Sequence, residues 1–199
     1  MELCVDTDLL LRQLEMADAV DIFHTIDSQR AYLGKWLPFV AFTRGVADSE
    51  MFVESVVNAP APRFEYIFTI RKCDAFVGLV GFKDTDKLNR KTEIGYWLSE
   101  PFQKQGIMTR SVARLCDYAF RELDLNRVQI KCAVGNHASI AVPKRLAFTF
   151  EGVERQGELL TGGIYTDLAV YSKLRCAQVI GDRRRGRYIQ PGSNSKVFE

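Results

Sequence analysis

The segment Leu98–Ser111 (LSEPFQKQGIMTRS) carries the most chemistry in this 199-residue sequence. Gly106 stands among polar neighbours immediately before a helical pattern. The first backbone N–H groups of such a helix have no intrahelical partner, and the helix dipole adds partial positive charge to them. A phosphate or pyrophosphate is the natural ligand of that turn, with Lys104 and Arg110 adding formal charge. A tight strand–helix connection that binds nothing uses the same glycine. No Gly-Lys-Ser/Thr follows, so this is not a nucleotide P-loop, and the three-glycine dinucleotide fingerprint is absent. Two further residues are suited to proton chemistry. Glu93 lies in an alternating pattern that puts it on one strand face with Gly95 and Trp97, opposite Ile94, Tyr96 and Leu98. A carboxylate of ordinary pKa, about 4.3, is a weak base unless its site raises that value, and a solvated strand glutamate is the plain alternative. Ser139, in a polar stretch before Ile140–Val142, is either a hydroxyl donor or a helix N-cap.

These residues must be positioned by an α/β framework. Leu9–Leu14 reads as a first strand. Residues 15–57 contain two helical stripes, Met16, Ala19, Val20 and Phe23, then Met51, Phe52, Ser55 and Val56. Between them lies the aromatic stretch Tyr32–Phe42, and Asn58–Arg63 (NAPAPR) ends the second helix. Glu65–Arg71, Ala75–Phe82 and Thr92–Ser99 follow as a meander of three strands. Val112, Leu115, Cys116, Ala119, Phe120 and Leu123 then mark an amphipathic helix whose other side carries Arg110, Arg114, Asp117 and Arg121. A strand over Arg127–Val134, a short helix near Asn136–Leu146 and strands near Phe148–Val153 and Ile164–Leu174 complete the chain. The expected fold is a single α/β (α+β) domain. Its mixed central sheet has about six or seven strands, flanking helices and one parallel β–α–β crossover.

A set of segments in matching chain order resembles one family. Gln103-Lys104-Gln105-Gly106-Ile107-Met108 is similar to the Gln/Arg-x-x-Gly-x-Gly/Ala acyl-CoA motif of the GCN5-related N-acetyltransferases (GNAT). Glu93–Leu98 (EIGYWL) resembles a strand of the branch that acetylates ribosomal-protein N-termini. Asn136–Ser139 (NHAS), then Leu146-Ala147-Phe148 and Glu151-Gly152, resemble that branch's Asn-x-x-Ser … Leu-Gly-Phe … Glu-Gly stretch. The resemblance spans about residues 5–174 and departs at Met108, where Gly or Ala is commonest, and at Ala147, which replaces a glycine. An alanine forced to positive φ costs something like 1 kcal/mol.

The resemblance implies acetyl-CoA as cosubstrate, no metal, and direct transfer of the acetyl group to an amine. It implies Glu93 as the group that takes the amine proton, usually through water. Ser139 is implied as the donor to the leaving thiolate, and the Leu98 N–H as the group that polarises the thioester carbonyl. It places Trp97, Leu98, Gln103, Lys104, Gln105, Gly106, Ile107, Met108, Thr109 and Asn136 against the cosubstrate. Tyr32, Trp36, Phe39 and Phe42 are either a wall of the acceptor pocket or core and rim packing. His137 reads as a surface loop residue, and Tyr165 and Tyr171 as packing.

An α-amine with pKa near 8 is neutral in roughly a tenth of molecules at pH 7, whereas a lysine near 10.4 is almost wholly charged. A modest base therefore favours an α-amine acceptor. The expected acceptor is a protein N-terminus such as that of a ribosomal protein, with a small amine (polyamine, amino acid or antibiotic) as the alternative. A ribosome- or nucleic-acid-binding protein is a third reading.

Composition bounds the rest. The chain is 47% hydrophobic and 26% charged, which suits one globular domain with a core. Residues 175–199 hold six basic and two acidic groups, leaving residues 1–174 at net −2 within the overall +2. The expected division is a slightly acidic acetyltransferase domain, 1–174, and a basic, loosely ordered tail, 175–199. A nucleic-acid partner is expected at most through that tail. Five scattered cysteines suggest no disulfide framework, and two histidines exclude a His-rich metal centre. With no apolar run near 20 residues and no signal-peptide pattern, a cytoplasmic, non-membrane protein is expected, as monomer or homodimer.

Overall fold

The computed structural model describes residues 1–60 and 65–175. The expectations for residues 176–199 therefore lie outside the described residues, as does the end of the NAPAPR segment. Eight strands form one sheet: β1 Glu2–Cys4, β2 Leu9–Gln13, β3 Ile67–Lys72, β4 Ala75–Asp86, β5 Lys91–Leu98, β6 Arg127–Ala133, β7 Thr149–Leu160 and β8 Ile164–Leu174. Five helices accompany them: α1 Ala19–Asp27, α2 Arg30–Leu33, α3 Val46–Val57, α4 Ile107–Arg121 and α5 His137–Arg145. The sheet order is β1-β2-β3-β4-β5-β6-β8-β7. Every neighbouring pair is antiparallel except β5 and β6, which are joined through α4. The mixed sheet with a single parallel crossover is the expected architecture.

Local chemistry explains most joints. The β3–β4 hairpin turns on Cys73 and Asp74, both at positive φ, which matches the right-handed twist of a two-residue turn. Gly162 and Gly163, also at positive φ, turn β7 into β8. The helix expected from Val112–Leu123 forms as α4, burying Val112, Leu115, Cys116 and Ala119 against the sheet.

Three expectations shift in detail. β1 adds an eighth strand; three residues are too few to show an alternating pattern. β7 continues seven residues beyond Val153, along a strand exposed on both faces whose polar sequence carries no alternation. In α1 and α3 the buried positions are Ala19, Ile22 and Ile26, then Ser49 and Val53, so Met16, Val20, Met51 and Phe52 face outwards. Apolar residues ring both helices, and the pattern fits more than one face.

Two cores lie on opposite sheet faces. One joins the sheet to α4 and α5 through residues such as Phe68, Ile94, Ile107, Leu115, Ile130 and Phe148. The other joins it to α1–α3 through Leu14, Ile22, Ile26, Val53, Leu79 and Trp97. Asp18 fastens the second layer to the sheet. Its fully buried carboxylate accepts from Arg12 on β2 and Arg71 on β3, both at 2.5 Å. Arg175 stays attached to the body: its N–H donates to Asn126 O at 2.8 Å and its guanidinium pairs with Asp124. No helix among the described residues is long and apolar enough to cross a membrane.

Candidate active site

β5 and β6 are paired only at Lys91–Glu93 with Arg127–Gln129, and beyond Glu93 they separate. The divergence opens a cleft of about 800 Å³, within the range of small-molecule sites. The Ser99 N–H bonds Val77 O at 2.8 Å, which makes the facing pair Gly78/Leu98 a non-hydrogen-bonded one. The Leu98 N–H therefore points away from β4, toward the opening, where β6 has already left. Gly78 permits this close strand approach, since a Cβ there would stand 2.3 Å from Trp97 O.

At one end of the cleft, Gly106 caps α4 in the left-handed conformation (φ 72°), with nothing near its absent side chain. The glycine is required by backbone geometry. Lys104, two residues earlier, is also at positive φ (61°). Leu98, Gln103, Lys104, Gly106, Ile107, Met108 and Thr109 all line the cleft, as do Trp97, Asn136 and Ser139. Of the residues expected against the cosubstrate, Gln105 alone is turned elsewhere: it accepts from Lys72 Nζ at 2.6 Å and donates to Pro101 O. Arg110 lines the cleft, but Asp6 and Asp8 pair with it and absorb the charge expected to be free for a phosphate.

On the opposite wall, Asn136 is the N-cap of α5, its side chain accepting from the Ser139 N–H at 3.1 Å. Ser139 is thus released from the capping role and sits in the first turn, half-buried. Its Oγ lies 3.2 Å from the Tyr96 hydroxyl and 3.2 Å from Cys132 Sγ. His137 opens the helix at the cleft margin, a place the loop expectation did not give it. Of the four early aromatics, Tyr32 and Trp36 line the cleft, while Phe39 and Phe42 are exposed and stand apart from it. Tyr32 donates to Leu98 O at 3.3 Å and accepts from Gln103, binding α2 to both the strand end and the loop before α4. Trp36 reaches across to the β6–α5 turn, where a Cβ on Gly135 would meet its ring at 3.0 Å.

Glu93 is buried on the α1–α3 face of the sheet and is not among the cleft-lining residues. It pairs with Lys83 Nζ at 2.8 Å and accepts from Gln129 at 3.1 Å. Burial alone would lower the Lys83 pKa, but the Glu93 hydrogen bond and the charges of Glu93, Asp84 and Glu158 outweigh it and raise the value. Glu158, on β7, faces the same group. Partial burial and the Glu93 charge raise its pKa, against the opposing pull of Lys83. Sequence reasoning passed over Glu158, because the register that brings β7 toward β5 runs through β8 and β6. It also passed over Tyr96, which the alternation placed only on the strand face opposite Glu93.

The profile of the acetyltransferase (GNAT) domain matches residues 8–149. The chain belongs to the GNAT acetyltransferase family. It is 36% identical over 178 residues to a Bacillus subtilis protein provisionally named a ribosomal N-acetyltransferase, covering 86% of this chain and 93% of that one. It is 30% identical over 153 residues to the ribosomal-protein-serine acetyltransferase of Escherichia coli, covering 77% and 85%. Among solved structures, a ribosomal L7/L12 α-N-protein acetyltransferase in complex with coenzyme A superposes with a TM-score of 0.83 at 29% identity, over 87% of this chain and 98% of that one. The splayed strands and the glycine-capped helix are the working parts of a GNAT enzyme, and this chain is an N-acetyltransferase.

Proposed function

We propose that this enzyme transfers an acetyl group from acetyl-CoA to the N-terminal α-amine of a protein, a ribosomal protein being the acceptor best supported by its relatives. Acetyl-CoA is the acyl donor. The observation that carries the reading is the Leu98 N–H turned into the gap between β5 and β6, with the α4 N-terminus at one end and Ser139 on the facing wall. A helix N-terminus receives the pyrophosphate, and Gln103, Lys104 and Gly106 to Thr109 supply its contacts. The Leu98 N–H stabilises the oxyanion as the amine adds to the thioester carbon. The new C–N bond forms, the C–S bond breaks and coenzyme A departs as a thiolate. A thiol with a pKa of about 8.5 needs a hydrogen bond rather than a strong acid to leave, and Ser139 supplies it. The proton shed by the amine passes through water to the Glu93–Lys83–Glu158 group. Within that group Glu93 is tied to Lys83 and Gln129. Glu158, with its raised pKa, is the member suited to take a proton.

An acceptor of this kind is made in the cytoplasm, and we place the reaction there. The test is a free-thiol release assay with acetyl-CoA over a panel of N-terminal peptides, polyamines, amino acids and aminoglycosides. Peptides with a free α-amine should turn over fastest, and the same peptides pre-acetylated at that amine should be inert. Turnover with polyamines or antibiotics alone would overturn the acceptor assignment while leaving the acetyl-CoA chemistry intact.

A further inference from the structure

Ser139 sits on α5 four residues before Pro143, which lies inside the helix. A residue at position 143 would ordinarily donate its N–H to the Ser139 carbonyl, but proline has no N–H to give. The Tyr96 hydroxyl takes that place, donating to Ser139 O at 3.0 Å from the strand across the cleft. Because the phenol's single proton is committed to the carbonyl, the phenol oxygen is left as an acceptor, and the Ser139 hydroxyl donates to it at 3.2 Å. Cys132 on β6 completes the seat, its sulfur 3.2 Å from Ser139 Oγ and 3.9 Å from the phenol oxygen.

Resting on the leaving-group role given to Ser139 above, we propose that Tyr96 is a positioning residue that aims Ser139 at the departing sulfur. The double contact fixes both the main chain and the hydroxyl of Ser139 relative to β5, the strand that also carries the Leu98 N–H. The donor for the thiolate and the donor for the oxyanion are thereby held on one rigid element, two residues apart at Tyr96 and Leu98. When the C–S bond breaks, the Ser139 hydroxyl swings from a neutral phenol oxygen to an anion, a stronger acceptor. The Tyr96–carbonyl bond keeps the helix turn in place meanwhile. Tyr96 does not itself surrender a proton, since deep burial and then Cys132 hold its pKa well above the phenol range.

The test is a double-mutant cycle with Tyr96→Phe, which keeps the ring and deletes only the hydroxyl, and Ser139→Ala. Each single variant should lower kcat about tenfold, with KM for acetyl-CoA changed less than about threefold. The double variant should be no slower than Ser139→Ala alone, a coupling of about 1.4 kcal/mol for a tenfold effect. The alkaline limb of kcat should be the same in Tyr96→Phe as in the wild type. Independent losses that multiply to about a hundredfold would reduce Tyr96 to a structural role and overturn the proposal. So would wild-type turnover in Tyr96→Phe, or an alkaline limb displaced in it. Full turnover in Ser139→Ala would remove Ser139 from the leaving-group step and this proposal with it, while the intact thiol release would leave the acetyltransferase reading standing.

Discussion

Replacing Glu158 by Gln separates the two carboxylates that flank Lys83. The neutral form of an α-amine becomes tenfold scarcer per pH unit below its pKa of about 8. With every other group unchanged, log kcat/KM for a peptide acceptor therefore falls with slope one toward acid. Once the catalytic base also protonates, the slope becomes two. Because the Glu158 pKa is raised, that break should come at higher pH than an ordinary glutamate would give. Glu158→Gln should lower kcat by about a hundredfold, the low end of what a positioned base contributes, and should abolish the break. Glu93→Gln acts with the opposite sign on the break. The Glu93 charge is one of the causes that raise Glu158, and its removal also leaves Lys83 unpaired beside Glu158. Both changes lower the Glu158 pKa, so the break should move to lower pH. Lys83 is half-exposed and can find water, so the variant should lose about 1–2 kcal/mol of stability, less than a fully buried broken pair. Stopped-time peptide acetylation between pH 5 and 8, in a constant-ionic-strength buffer, reads both effects. A slope break that persists in Glu158→Gln and vanishes in Glu93→Gln would refute the division of labour and return the base to Glu93.

Two further outcomes concern stability. Ala147 occupies the left-handed region (φ 55°), where a Cβ costs roughly 1–2 kcal/mol and a glycine's extra unfolded-state freedom costs about 0.5–1 kcal/mol. Ala147→Gly should therefore stabilise the protein by about 0.5–1 kcal/mol, raising Tm by about 1–4 °C; an unchanged or lower Tm contradicts the strain. Asp18→Asn keeps the shape but removes the charge that two guanidinium groups share inside the protein. It should cost about 3–5 kcal/mol and lower the urea midpoint accordingly. A loss below 1 kcal/mol would show that the pairs Arg12 already makes with Glu15, and Arg71 with Asp21, hold both guanidinium groups without Asp18.

What could be read from the sequence was set by how local its physics is. The α4 stripe and the glycine before it are properties of one continuous segment, and they form as the spacing predicts. The Ala147 strain is local too, since φ depends on the turn alone. Ser139 could be read as a cap or as a donor, and Asn136 three residues away takes the cap. Harder to see was where each charge is spent. Arg110 meets Asp6 from 104 positions away, and nothing in the segment Leu98–Ser111 hints that its cation is already neutralised. Glu93 meets Lys83 through strand register, and Glu158 joins them through two intervening strands. A side chain's type is local information, but its ionisation and its free hydrogen-bonding capacity depend on the tertiary fold.

The early helices show how far that dependence reaches into function. Gln29, between α1 and α2, donates to Ser99 Oγ at 2.9 Å and accepts from the Glu100 N–H at 2.7 Å. Tyr32 continues the contact to Leu98 O and Gln103. Two residues of one helical corner, Gln29 and Tyr32, thus hold both the end of β5 and the loop that leads to α4. The same corner carries Trp36 to the β6–α5 turn on the far side of the cleft. Gln29 does not line the cleft, yet Gln29→Ala should alter acetyl-CoA kinetics in the thiol-release assay through the strand end it holds, and unchanged kcat and KM would contradict that.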